Sequence, residues 1–201
     1  MRAVACVSLA AAGVSGCSSS MVSSSAAKPN GPAEMFSAEL NSTSVFVGAS
    51  IIHYWALPLH NDGIAGQTSS EVLARFKADV AGHGYARVIV LCGTNDVLQK
   101  TPDLVAELTA NLKSMDQIAK EAGIPVVLSE LPPASSGGVN FDATIAAVNA
   151  AIVQMGAQQG DVVVDYYSPM LGHPEYFADG VHPNATGYAV MERALSAAVV
   201  R

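Results

Sequence analysis

Four short segments of this chain carry side chains suited to nucleophilic chemistry at a carbonyl. Gly48-Ala49-Ser50 ends an apolar run over 45–47 and leaves a hydroxyl where an expected strand stops. Asn61-Asp62-Gly63-Ile64-Ala65-Gly66 lies just before an expected helix start. Gly66 there has no side chain to keep its N–H away from a ligand. Gly93-Thr94-Asn95-Asp96 follows the apolar run that ends at Cys92, and an Asn at that point can aim its amide at a negatively charged oxygen. Asp179-Gly180-Val181-His182-Pro183-Asn184 puts an Asp and a His three residues apart on a tight loop. The Asp can bond one imidazole nitrogen and leave the other free to take a proton.

Singly, each segment has a plainer use. Gly66 can close a turn. Asn95, Asp96, Asp179 and Asn184 can cap helices or shape loops, and His182 can sit at the surface. Jointly they supply a nucleophile (Ser50), a base (His182), an orienting carboxylate (Asp179) and three oxyanion donors. The donors are the backbone N–H groups of Ser50 and Gly66 and the side-chain amide of Asn95. All fall at the carboxyl ends of expected strands, where open α/β sheets keep their sites. The following helix N-terminus at Ser50 favours developing negative charge.

The elements that must position these residues read as alternating strands and helices. Continuous apolar runs at 45–47, 88–91, 126–128 and 162–164 fit strands buried on both faces, as in a parallel sheet. A further strand is expected near 57–61, against the preference of Pro58. Thr68-Ser69-Ser70-Glu71 reads as a capping box opening a helix with Val72, Leu73, Phe76 and Val80 on one face. Thr101-Pro102-Asp103 predicts an N-cap with Pro at the first helical position. Leu104, Leu108, Leu112 and Met115 then recur at helical spacing, and Gly123 ends that helix. Ile145, Val148, Ile152 and Met155 mark a third helix, and Met191, Leu195 and Val199 a last one. The alternation implies an α/β fold, a three-layer α/β/α sandwich.

The 201 residues suggest one domain. A formal net charge of −7 and the lack of a basic stripe argue against nucleic acid as a partner. The N-terminus stands apart from the fold. A basic Met1-Arg2, an apolar run over 3–14 and Val14-Ser15-Gly16-Cys17 follow the order of an export signal over 1–16. The last four residues resemble the lipobox of bacterial lipoproteins, so lipidation at Cys17 and a membrane anchor are expected; an ordinary secretory signal giving a secreted or periplasmic protein is the alternative. Residues 17–41 are rich in Ser, Ala, Pro and Gly and read as a flexible tether, with the folded domain at 42–201. Of three cysteines only Cys92 lies in the expected fold, as a small buried hydrophobe. His53, His60, His83 and His173 form no metal spacing. Tyr54 and Trp55, beside the nucleophile, suit either a substrate pocket or the core.

The four chemical segments resemble the blocks of the SGNH hydrolases, the GDSL esterase/lipase family, in which Ser, Gly, Asn and His recur in this order. The matching residues are Ser50, Gly66, Asn95 and His182, with Asp179 in the place of the third triad member. The resemblance spans roughly residues 44–199. It implies a flavodoxin-like sandwich of about five parallel strands. It also implies hydrolysis of a small-molecule carboxylic ester (short acyl, lysophospholipid or acetylated sugar) through an acyl-enzyme, without metal or organic cofactor. The family's first block usually reads Gly-Asp-Ser, whereas Ala49 stands here in place of the Asp. That departure motivates a second reading: a surface lipoprotein that keeps the fold, binds glycan or lipid, and has lost catalysis.

Overall fold

The computed structural model describes residues 32–199. The expected signal over 1–16, Cys17 and the first part of the expected tether lie outside the described residues. Five strands form one sheet: β1 (Ser44–Gly48), β2 (His60–Gly63), β3 (Arg87–Leu91), β4 (Val126–Ser129) and, after a small hairpin of β5 (Ser135–Ser136) and β6 (Val139–Asn140), β7 (Val162–Val164). Their order is β2-β1-β3-β4-β7, and every neighbouring pair is parallel. The helices are α1 (Pro32–Thr43), α2 (Ser50–His53), α3 (Ser69–Val80), α4 (Thr94–Leu98), α5 (Leu104–Glu121), α6 (Asp142–Gln159) and α7 (Ala185–Val199). Neighbours α3, α5 and α6 pack side by side, and α1 packs with α7. The result is the expected α/β sandwich on five parallel strands.

Three of the apolar runs become the centre of the sheet because helices cover both of its faces; the fourth, Val162–Val164, forms the edge strand β7 and leaves Val162 exposed. Val45, Phe46, Val47, Ile89, Val90 and Leu128 are buried. Each such side chain contributes about 1.5–3 kcal/mol on leaving water. The helical stripes behave likewise: Val72, Phe76 and Val80 on α3, Leu108, Leu112 and Met115 on α5, and Ile145, Val148, Ile152 and Met155 on α6 all enter the core. Cys92 joins them, and burial pushes its thiol pKa far up, so it packs rather than reacts. The capping box forms as read, with the Thr68 N–H donating to the Glu71 carboxylate at 2.8 Å.

Three expectations are corrected. The tether expected to run to residue 41 ends earlier, because Pro32–Thr43 is helix α1 and its Leu40 is buried in the core. One apolar side chain near the end of that polar segment is enough to dock its last turns. The strand expected near 57–61 is β2, three residues further on. It is an edge strand of His, Asn, Asp and Gly pairing only with β1, so it needs no apolar run. The helix expected to open at Thr101 opens at Leu104. The Asp96 carbonyl accepts the Thr101 N–H at 3.0 Å, and the left-handed Lys100 and Asp103 (φ 57° and 47°) turn the intervening residues.

Candidate active site

Register brings the candidate residues to one edge. On one flank of β1, Gly48 pairs with Gly63 of β2; on the other it pairs with Leu91 of β3. Gly48-Ala49-Ser50, the loop to Gly66, and Gly93-Thr94-Asn95 therefore leave three adjacent strands at the same carboxyl edge. Glycine is required at position 48, since a Cβ there would overlap the Leu91 carbonyl oxygen. The chain turns at once into α2, with Ser50 as its first residue. Its N–H thus belongs to the helix N-terminal donors that lack an intrahelical acceptor.

Ser50 and His182, separated by 132 residues, meet there: the hydroxyl oxygen and Nε2 are 2.9 Å apart. On the other side of the imidazole, Nδ1 lies 2.7 Å from Asp179 Oδ2. A carboxylate can only accept, so Nδ1 carries the proton and donates it. The neutral ring then receives the Ser50 O–H at Nε2. Ser50 is 8% exposed, whereas the Asp179 and His182 side chains are more open. Asp179 also accepts the backbone N–H groups of Val181 (3.0 Å) and His182 (2.8 Å) on Oδ1. Desolvation pushes its carboxyl up, but the hydrogen bonds from the His182 backbone, the His182 ring and Val181 outweigh it and hold the pKa at about 2. The loop is pinned from outside by an Ala178 N–H to His182 carbonyl bond (2.8 Å) and by Asn184, whose Oδ1 caps α7 through the N–H groups of Thr186 and Gly187.

The remaining candidates, Gly66 and Asn95, follow β2 and β3 at the same edge of the sheet. Gly66 has a left-handed φ of 84° in open surroundings, so backbone conformation, not space, calls for glycine. Asn95, on the first turn of α4, donates one amide hydrogen to the Gln67 carbonyl at 2.9 Å. The second amide hydrogen is left to point elsewhere. The two aromatic residues that follow α2 part company. Trp55 is 2% exposed and stacks on Tyr188 in the core; Tyr54 is 56% exposed and sets its ring edge-on to His182 at 5.4 Å. A cavity of about 240 Å³ opens beside the His182 loop, between the β5–β6 hairpin and the turn at Pro174–Tyr176. Pro133, Ala134, Met170 and Phe177 give it apolar walls, with His173 and Asn140 among its polar residues.

Reading the sequence missed two polar residues that hold this edge together, Gln67 and Arg75, and read a third, Asp96, only as a helix-capping or loop residue. Asp96 is buried and bonds Ser69 at the start of α3. Gln67 and Arg75 link the loop before α3 to the strand ends. An Arg in an amphipathic helix gives no sequence signal for an inward reach, because such residues ordinarily face solvent.

The GDSL-like Lipase/Acylhydrolase family model matches residues 23–190. The chain belongs to this family. The match begins inside the segment read as tether, in keeping with α1 as part of the fold. The chain is 33% identical over 127 residues to Esterase TesA of Pseudomonas aeruginosa, covering 61% of this chain and 60% of that protein. It thus spans less than two thirds of the length of that curated relative. Among solved structures, a Bacteroides fragilis protein with a provisional acylhydrolase description is 32% identical, with a TM-score of 0.71 over 83% of this chain and 93% of its own. A GDSL-like lipase from Bacteroides thetaiotaomicron is 30% identical, with a TM-score of 0.69 over 84% and 97%.

Proposed function

We propose that this chain is a serine esterase that hydrolyses carboxylic esters through an acyl-enzyme on Ser50. The observation that carries this reading is the unbroken line of bonds from Ser50 Oγ through His182 to Asp179 at the carboxyl edge of the sheet. His182 Nε2 takes the hydroxyl proton as Ser50 Oγ attacks the ester carbonyl carbon. Asp179 stays ionised, fixes the tautomer and stabilises the imidazolium. The carbonyl oxygen becomes an oxyanion held by the N–H groups of Ser50 and Gly66 and the free amide hydrogen of Asn95. Collapse breaks the bond to the alcohol oxygen, which receives the proton from His182. Water then repeats the cycle and releases the acid. Membership of a lipase and acylhydrolase family supports the same chemistry.

Short acyl esters, lysophospholipids and acetylated sugars are the substrate classes we propose. Export and anchoring through a lipid on Cys17 are part of the same proposal, motivated by Val14-Ser15-Gly16-Cys17 behind an apolar run. A fluorophosphonate probe, which bonds activated serines, tests the catalytic reading together with a panel of esters varied in acyl length and alcohol. Labelling and turnover that disappear in Ser50→Ala are expected. A folded wild type inert to both would leave the binding-lipoprotein reading in place.

A further inference from the structure

We infer that Arg75 is a positioning residue that ties the nucleophile turn to the oxyanion donors, an inference that rests on the esterase reading above. From the middle of α3 its guanidinium reaches the ends of β1 and β2 and the loop that joins β2 to α3. Nη2 donates to the carbonyl of Gly48 at 2.9 Å and to that of Asp62 at 2.8 Å. Nε donates to the side-chain oxygen of Gln67 at 2.7 Å, and Nη1 pairs with Asp79. The Arg75 side chain is only 17% exposed, so these bonds are shielded from competing water.

Two of the anchored residues, Gly48 and Gln67, lie within two positions of a proposed oxyanion donor in the chain. Gly48 precedes Ser50 by two residues, and its carbonyl also accepts the Ile64 N–H at 3.1 Å at the start of the Gly66 loop. Gln67 directly follows Gly66. The Gln67 carbonyl in turn accepts one hydrogen of the Asn95 amide. One planar cation therefore sets the relative placement of all three donors without touching the reacting atoms. The fork is needed: a lysine offers donors from a single nitrogen and cannot span the Gly48 carbonyl and the Gln67 side chain together. Loss of this bracing leaves the substrate's ground state little affected, because the oxyanion forms only later. It should lower kcat more than it raises KM.

The test compares wild type, Arg75→Lys, Gln67→Ala, Asn95→Ala and the Arg75→Lys/Asn95→Ala double variant on a chromogenic short-chain ester. Each kcat is expressed per serine titrated with a fluorophosphonate, and thermal midpoints are recorded by circular dichroism. In Arg75→Lys, kcat per titrated serine should fall about 10–100-fold, with KM within about threefold. Gln67→Ala, which cuts one link and spares the strand ends, should fall in the same sense by about 3–10-fold and keeps the test valid if Arg75→Lys does not fold. The double variant should be slower than Asn95→Ala alone, but by less than the loss Arg75→Lys causes in the wild-type background, since both act on one donor set. A purely structural Arg75 would lower the midpoint and the titratable fraction but leave kcat per serine unchanged in both single variants; that result overturns the inference. Losses that multiply in the double variant also overturn it. A wild type without turnover or labelling overturns the esterase reading itself, an outcome distinct from an active wild type whose Arg75→Lys variant is equally fast.

Discussion

Asp96 accepts both donors of Ser69, the backbone N–H at 2.8 Å and the hydroxyl at 2.6 Å, and both residues are buried. Asn111 of α5 adds a hydrogen bond to the same hydroxyl at 2.9 Å. One carboxylate thus joins α4, just after β3, to the first turn of α3 and, through Ser69, to α5. Deleting it strands two buried donors. Asp96→Ala should lower unfolding stability by about 2–4 kcal/mol, read from urea denaturation. Asp96→Asn, which keeps one acceptor, should cost less.

Ser50→Ala and His182→Ala should each reduce ester turnover by about 10⁴-fold or more, while circular dichroism stays that of the wild type. The paired variant should be barely worse than either alone, because proton acceptor and nucleophile act as a unit. Turnover like that of the wild type in a folded Ser50→Ala protein would end the nucleophile assignment.

Ala49 is the N-cap of α2 and offers no side-chain hydrogen bond to it. An Asp there can cap the helix, and such caps contribute about 0.5–2 kcal/mol. No step of the proposed acyl transfer needs a carboxylate at this point, since the proposed base, orienter and oxyanion donors all lie elsewhere. Ala49→Asp should therefore change kcat by less than about tenfold, far less than Ser50→Ala. An inert wild type that gains Ser50-dependent activity on this substitution would favour the binding reading.

Glu130 follows β4 at the same edge of the sheet, and its N–H bonds the Val164 carbonyl at 2.9 Å. Burial first, and then the nearby Asp165 carboxylate, push its carboxyl from an ordinary 4.5 up to about 7. A raised acid is protonated in the folded chain when the unfolded chain has already ionised. Stability is then fully present below 4.5 and is lost as pH rises through about 7. Glu130→Gln should remove that decline, so its thermal midpoint should gain on the wild type between pH 5 and pH 8 (about the window in which the acid ionises).

The central strands and the helical stripes were legible because burial on both faces leaves apolar runs that tolerate nothing else. Phe46, Ile89 and Leu128 are such positions. Ser50, Asp179 and His182 were legible through loop chemistry at strand ends. Edge strand β2 was misplaced because His60-Asn61-Asp62-Gly63 carries no strand composition; only its pairing with β1 makes it one. The β5–β6 hairpin was overlooked although Gly137-Gly138 between short flanks is a hairpin signal. Arg75, Gln67 and Asp96 lie beyond such reading, because each bonds residues of other elements. Their partners become neighbours only when the sheet is assembled.

Cys17 lies outside the described residues, and its prediction rests on sequence alone. Expressed in a bacterial host, the mature chain should begin at Cys17 and carry the mass of a lipid, as mass spectrometry of the N-terminal peptide will read. Cys17→Ser should move the protein from the membrane fraction to the soluble fraction. An unlipidated N-terminus at another residue would rule out the anchor.

Trp55 is the chain's single tryptophan and lies five residues beyond Ser50. Its indole is stacked on Tyr188 of α7, set edge-on to Phe46, and donates to Glu192 of α7 at 3.2 Å, while the Tyr188 hydroxyl bonds the Ile51 carbonyl at 2.8 Å. The protein's intrinsic tryptophan emission therefore comes from one fluorophore wedged between α2 and the last helix. Its wavelength and quenching report whether α7 is seated beside Ser50, so docking of the C-terminal helix can be followed in real time, in dilute solution, with no added dye.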